Sequence, residues 1–265
     1  MPYPTLTVSL EGEIATLTFN RPDKRNAISP EMIHDLMSAL DQVESGAAKV
    51  LILTGAGKAF SAGMDLAALR SLATATAGEE TARLAQGDSE RIAAMFRRIY
   101  CYPKVTIAAV NGPAIAGGCG IATFCDFTLA APEAKFGYTE VRIGFIPAVV
   151  SVFLIRQLGE KKARDLLLTG RIVDAEEARG LGMVNEIVPA ERLLDRAREL
   201  AAQLLEVSPT SLIHTKRLLR DFNQADLDRE LAMAIRASAA IRSTADFREG
   251  LTSFLEKRKP VWRGQ

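Results

Sequence analysis

Cysteine, histidine and tryptophan are scarce in this chain: three, two and one among 265 residues. The cysteines (Cys101, Cys119, Cys125) are odd in number and lie in or beside apolar runs, which argues against a disulfide framework and for reduced thiols. His34 and His214 fall in helical patterns, and no Cys-x-x-Cys occurs, so no metal site is expected. Neither sign of charge dominates. Thirty-three Lys and Arg against 32 Asp and Glu leave a net +1, so no global field points to nucleic acid or an anionic membrane surface. Long hydrophobic runs are missing as well: none reaches the ~18 residues of a membrane span, and the N-terminus lacks a basic-then-apolar leader. The expectation is a cytoplasmic protein with no nucleic-acid partner and no membrane insertion.

What the chain does have is apolar content, 48%, enough to bury one large core with an appendage. Residues 6–10 and 14–19 alternate around Glu11-Gly12-Glu13 and predict a β-hairpin. Ser29-Pro30-Glu31 caps a helix whose apolar side chains run from Met32 to Val43 at helical spacing. Residues 48–54 predict a buried strand. Residues 58–66 predict a loop entering a helix that Asp65 would cap. A helical pattern then covers 69–98, loosened near 73–78. Strands are expected over 105–110, 126–130 and 184–188, with a short strand or turn at 135–138. Helices are expected over 149–158, 161–168 and 174–180, the last stopped by Gly180. From residue 190 the pattern is helical throughout. No low-complexity segment or clear repeat is visible, although strand–strand–helix units recur. The chain therefore divides into an α/β core, 1–190, and a helical region, 191–265.

The organising stretch runs from Val110-Asn111-Gly112 to Ala116-Gly117-Gly118-Cys119-Gly120. A buried strand delivers the chain to a glycine-rich bend, and an apolar helix leaves it. The first N–H groups of a helix have no partner within it, and glycine lets a ligand oxygen approach them. The result is a backbone pocket suited to developing negative charge. Glycines that only permit tight packing are the competing reading. The spacing fits neither G-x-G-x-x-G nor a P-loop.

The segments Arg21-Pro22 … Asn26-Ala27, Phe60-Ser61-Ala62-Gly63-Met64-Asp65-Leu66, Asn111-Gly112 … Gly117-Gly118 and Phe136-Gly137 … Glu140 … Gly144 … Pro147 resemble the crotonase (enoyl-CoA hydratase/isomerase) superfamily. Gly180-Leu181-Gly182-Met183-Val184 and Phe254-Leu255-Glu256-Lys257-Arg258-Lys259 continue the likeness in the family's order. The resemblance implies a spiral of ββα units with a C-terminal helical region that drives trimer formation, giving a homotrimer or a hexamer of paired trimers. It implies an acyl-CoA substrate and no separate cofactor, coenzyme A being part of the substrate. The thioester carbonyl would lie between the backbone N–H groups of Met64 and Gly117. Arg25, Asn26, Ala27, Ala62 and Asp65 would line the coenzyme A cleft, with Lys257 or Lys259 near the nucleotide phosphates. Pocket walls are expected from 69–98, 143–150 and the C-terminal helix.

Typical hydratases of this family carry two glutamates, whose positions here are Gly120 and Glu140. Only the second acid is present. Phe136 and Phe145 near Glu140 would desolvate it and raise its pKa, while pairing with Arg142 or a lysine would leave it a structural residue. Loss of the first glutamate favours an isomerase that shuttles one proton between 3-enoyl and 2-enoyl thioesters. The run Thr139-Glu140-Val141-Arg142 instead resembles hydratases of branched enoyl-CoA that also depart from the two-glutamate pattern. Reversible hydration of a 2-enoyl-CoA is the leading expectation and isomerisation the alternative. A non-catalytic acyl-CoA-binding scaffold is a third, opposed by the retention of Glu140 and both glycine-bearing loops.

Overall fold

The computed structural model describes residues 3–68, 70, 78–222 and 224–264. Leu6–Glu11 (β1) and Ile14–Phe19 (β2) form the expected antiparallel hairpin. Val50–Gly55 (β3), Val105–Val110 (β4), Ala114–Ile115 (β5), Phe127–Ala130 (β6), Lys135–Gly137 (β7), Ile172–Asp174 (β8) and Glu186–Ile187 (β9) follow. A six-stranded sheet has the order β1-β2-β3-β4-β6-β9, parallel from β2 onward. A second sheet has the order β5-β7-β8. Every residue of β4 is buried, as a parallel strand covered on both faces requires.

Alternation along the strands sorts their side chains between two cores. Leu51, Leu53, Ala108 and Val110 face the larger core, together with Pro30–Ser45 (α1), Glu79–Tyr100 (α2) and Gly117–Phe124 (α3). Val50, Ile52, Ile107 and Ala109 face the opposite side. The chain continues through Ala148–Leu158 (α4), Glu160–Thr169 (α5) and Ala175–Leu181 (α6) to Leu193–Leu205 (α7), whose Leu193, Ala197 and Ala201 meet this face. Pro209–Asp221 (α8), Gln224–Ile241 (α9) and Ala245–Leu255 (α10) complete the helical region. Of these, α9 lies against α2 and α4, and α10 packs on the turn Glu140–Ile143. The mixed α/β spiral with its C-terminal helices is the expected fold.

Local chemistry explains most boundaries. The Ser29 hydroxyl accepts from Met32 N, and Pro30 opens α1. Asp174 caps α6. That helix runs through Gly180 and stops at Gly182, which lies in the left-handed region at φ 92°, so the stop lies two residues later than the sequence pattern suggests. The helical pattern also ends early, at Leu255, with residues 259–264 irregular. Of the expected helix over 69–98, residues 69 and 71–77 lie outside the described residues, and Glu79 onward is helical. Strands β5 and β8 have no counterpart in the sequence reading, because segments of two or three residues are too short to show a period.

Candidate active site

Three loops leave the carboxyl ends of β2, β3 and β4 and are laced together. Asn26 is fully buried in a left-handed turn, φ 54°. Its amide donates to Ala56 O at 2.9 Å and Ala59 O at 2.8 Å, and its Oδ1 accepts from Arg21 N. The Ser61 hydroxyl donates to Asn26 O, and Ile115 N donates to Ser61 O. Bridges at Ile28–Met64 and Ser61–Ala114 extend this lacing to β5 and so to the second sheet. Backbone groups of each loop are thereby satisfied by another loop.

This lacing fixes the two backbone positions singled out by the sequence. Ile28 N donates to Gly63 O and Asp65 N donates to Ile28 O. Parallel pairing of that kind turns the N–H of the intervening Met64 away from Ile28. Gly117 is the first residue of α3, so its N–H has no acceptor within the helix. The loops touch at Gly63, φ 83°, where a Cβ would lie 2.6 Å from Ile115 O and 3.3 Å from Gly117 N. Ala116, just before Gly117, is held at φ 49°, ψ −121°, with its N–H bonded to Gly137 O at 2.7 Å. A non-glycine residue there stores about 1–3 kcal/mol of strain, of the kind found where a backbone group must be aimed. Nothing in the sequence marks the strained backbone of Ala116, because an alanine side chain gives no sign of it.

Met64 and Gly117 line one cavity of 490 Å³, and Glu140 lines it too. Glu140 follows β7 and starts the 3-10 turn Glu140–Ile143, on which α10 sits so closely that a Cβ on Gly250 would lie 2.3 Å from the Ile143 carbonyl. The carboxyl has no ion pair with Arg142 or a lysine, and its Oε2 is buried without a hydrogen-bond partner. Desolvation by the apolar wall raises its pKa from 4.5 to about 7. A carboxyl poised near neutrality can both accept and return a proton. Burial pushes the Cys119 and Cys125 thiols up to about 12, so neither supplies a thiolate nucleophile.

Gly120 is buried in α3. A Cβ there would lie 3.0 Å from Phe96 Cε1, 3.1 Å from Val150 Cγ1 and 3.2 Å from Phe124 Cε2. The space beside it is filled by hydrocarbon. The cavity walls come from α2, from residues 143–150 and from Phe254 of α10, as expected, and also from Ile172 of β8 and Ser238 of α9.

Of the remaining sequence candidates, Ala62 lines this cavity and Arg25, Asn26, Ala27, Asp65 and Lys257 do not. Arg25 is exposed, and its carbonyl accepts from Ala62 N at 2.9 Å. Ala27 follows Asn26, and its carbonyl holds Arg21 Nη1. Asp65 pairs with Arg21 at 3.2 Å and accepts from Ala67 N. Asn26 uses its side chain within the loops. Lys257 and Lys259 are exposed just beyond α10. Among the described residues, no group of His, Cys, Asp and Glu could hold a metal ion, and no helix is long and apolar enough to cross a membrane.

Comparison with known proteins agrees with this geometry. The family profile described as enoyl-CoA hydratase/isomerase matches residues 9–265. A Thermus thermophilus relative is 47% identical over 251 residues, covering 94% of this chain and 97% of its own. A crotonyl-CoA hydratase of Syntrophomonas wolfei is 36% identical, covering 98% of each chain. Among solved structures, an enoyl-CoA hydratase from Mycobacterium avium superposes with a TM-score of 0.86 at 30% identity, over 98% of this chain and 99% of that one. Both the profile and these full-length likenesses meet on the same fold, and the chain belongs to the enoyl-CoA hydratase/isomerase family, the crotonase superfamily.

Proposed function

We propose that this enzyme, whose relatives establish an enoyl-CoA hydratase-like function, adds water reversibly to a 2-enoyl-CoA with Glu140 as its single acid/base. The reading rests on one observation: Met64, Gly117 and an unpaired Glu140 share one cavity wall. The Met64 and Gly117 N–H groups hold the thioester oxygen. The Glu140 carboxylate takes a proton from water as the water oxygen bonds to carbon 3. The double-bond electrons move into the thioester enolate, whose oxygen the two donors stabilise. Glu140 then gives the proton to carbon 2, so one carboxyl serves both halves of a syn addition.

Arg25, Ala27, Ala62 and Asp65, with the Asn26 turn between them, border the entrance as a coenzyme A cleft, and Lys257 meets the nucleotide phosphates. Coenzyme A arrives as part of the substrate, and no other cofactor is used. Residues 1–190 form the spiral core and 191–265 the region through which copies assemble as a cytoplasmic homotrimer or paired trimers. Exposed Leu218, Leu219 and Phe222 around the end of α8 support that assembly.

The hydrocarbon packed at Gly120 favours one second reading, 3-enoyl to 2-enoyl isomerisation, which needs no second acid. Supplying crotonyl-CoA and a 3-enoyl-CoA separately decides between them. Hydration predicts 3-hydroxybutyryl-CoA from the first. Conversion of the second to a 2-enoyl-CoA with no hydroxyacyl product from either would establish the isomerase instead.

A further inference from the structure

Gly117 and Glu140 belong to different elements, α3 and the turn after β7, yet on the reading above they work on atoms two bonds apart, the thioester oxygen and carbon 2. Their separation must therefore be set by contacts between the two elements. One such contact lies at the start of α3, where Ala116 N donates to Gly137 O at 2.7 Å. Alone, it would let the helix pivot.

A second contact lies farther along. Tyr138, two residues before Glu140, is fully buried, and its hydroxyl is 2.9 Å from Thr123 Oγ1. Thr123 follows Gly117 by six residues in α3, about 9 Å along the helix axis. The one hydroxyl proton of Thr123 goes to Cys119 O at 2.9 Å, so in this pair the phenol donates and Thr123 accepts. Burial holds the Tyr138 pKa well above its ordinary value, and the donor keeps its proton. A phenylalanine would fill the same space with no polar group to satisfy. What the hydroxyl adds is a directional tie between the two elements. Tyr138 does not line the cavity, so it meets no substrate.

We propose that Tyr138 is a positioning residue, which through Thr123 holds α3, and so the Gly117 N–H, at a set distance and angle from Glu140. This rests on the reading of Gly117 and Glu140 as the working groups of the site, whether they hydrate or isomerise.

Tyr138→Phe removes one oxygen and keeps the ring. Tyr102→Phe is the matched control: Tyr102 is equally buried, and its hydroxyl donates to Leu40 O at 2.9 Å, away from the cavity wall. Both variants should lose a similar amount of Tm. Only Tyr138→Phe should lower kcat, by about 10-fold, within the ~100-fold that a 1 Å misplacement can cost. KM should stay within about twofold, as for an interaction that matters in the transition state alone. Exchange at carbon 2 of a saturated acyl-CoA in deuterated water should fall by the same factor with its pH midpoint unmoved, because the apolar wall that desolvates Glu140 is untouched. Thr123→Val removes the acceptor instead. It should show the same loss, and it carries the test if Tyr138→Phe does not fold. The double variant should be no slower than either single one, since both remove one bond.

Native kcat and native exchange in Tyr138→Phe or in Thr123→Val overturn the proposal. So do losses that multiply in the double variant, because each residue would then act by its own route. In either case a Glu140→Gln variant that loses exchange leaves the reading of the site standing. A native protein that neither hydrates, isomerises nor exchanges defeats that reading and the proposal together.

Discussion

Replacing Glu140 with glutamine should make the protein more stable at alkaline pH relative to acid pH while removing its proton chemistry. The fold holds this carboxyl at about 7 instead of 4.5, with desolvation the leading cause, so the penalty falls on the charged form. At 1.36 kcal/mol per factor of ten, ionising Glu140 inside the fold costs about 3 kcal/mol more than in the unfolded chain. The direction follows from which state binds the proton more tightly. Below pH 4.5 the group is protonated in both states and contributes no penalty. Between 4.5 and 7 the unfolded chain ionises first and stability drains away, and above 7 the loss is complete.

Glutamine does not titrate. The stability of Glu140→Gln relative to the native protein should therefore climb by about 3 kcal/mol between pH 4 and pH 8.5, or about 6 °C in Tm for a chain of this size. Any cost of burying the amide shifts both ends of that range equally and drops out of the comparison. Parallel thermal unfolding of the two proteins across the range measures it. A difference that stays flat with pH would mean that the carboxyl is well solvated, and Glu140 would then have no claim to be a base poised at neutrality.

Hydrogen–deuterium exchange at carbon 2 of a saturated acyl-CoA should rise through pH ~7 and level off above it, because the ionised base is the active form; NMR in deuterated water reads this, and a rate that falls with pH refutes it. Gly63→Ala places a methyl 2.6 Å from Ile115 O and 3.3 Å from Gly117 N, which should splay the two donor loops and lower kcat by about 100-fold, the usual effect of losing one oxyanion donor. Unchanged kcat would show that the two backbone positions do not act together. Asn26→Ala deletes three hydrogen bonds made by a buried side chain and should destabilise the fold by about 2–4 kcal/mol in denaturant titrations. Gly120→Glu, which supplies the first glutamate of the family's usual pair, should destabilise by about 1–3 kcal/mol through overpacking against Phe96, Val150 and Phe124 without raising crotonyl-CoA hydration. A gain in hydration would show that this hydrocarbon wall yields to a carboxylate.

Much of the site was legible because its signals are local. A serine cap, a buried β-branched strand and a glycine bend each state their geometry within a few residues, and α1, β4 and α3 lie where those signals put them. Glu140 was legible through its place after Phe136-Gly137. Features that depend on tertiary contact were not. Nothing near Asn26 in sequence tells that its amide will bond Ala56 and Ala59, some thirty residues away. Ser238 reads as an ordinary residue of an amphipathic helix, and only packing against Ser89 brings it to the cavity. The strain at Ala116 is likewise invisible, since alanine gives no sign of a positive φ.

The missing acid at position 120 and the raised pKa of Glu140 meet at one hydrocarbon-walled cavity. Phe96 and Val150 stand where a second carboxylate would project from α3, and both also line the cavity onto which Glu140 opens. A charged neighbour at 120 would bring water and a competing field; hydrocarbon brings neither, and leaves desolvation as the leading influence on Glu140. A carboxyl with a pKa near 4 would take a proton from water but hold it too weakly for long residence, while one near 7 divides its time between both forms at neutral pH. On the hydratase reading, removing one acid and drying the other would be a single change of environment, the one that lets one carboxyl stand in for two.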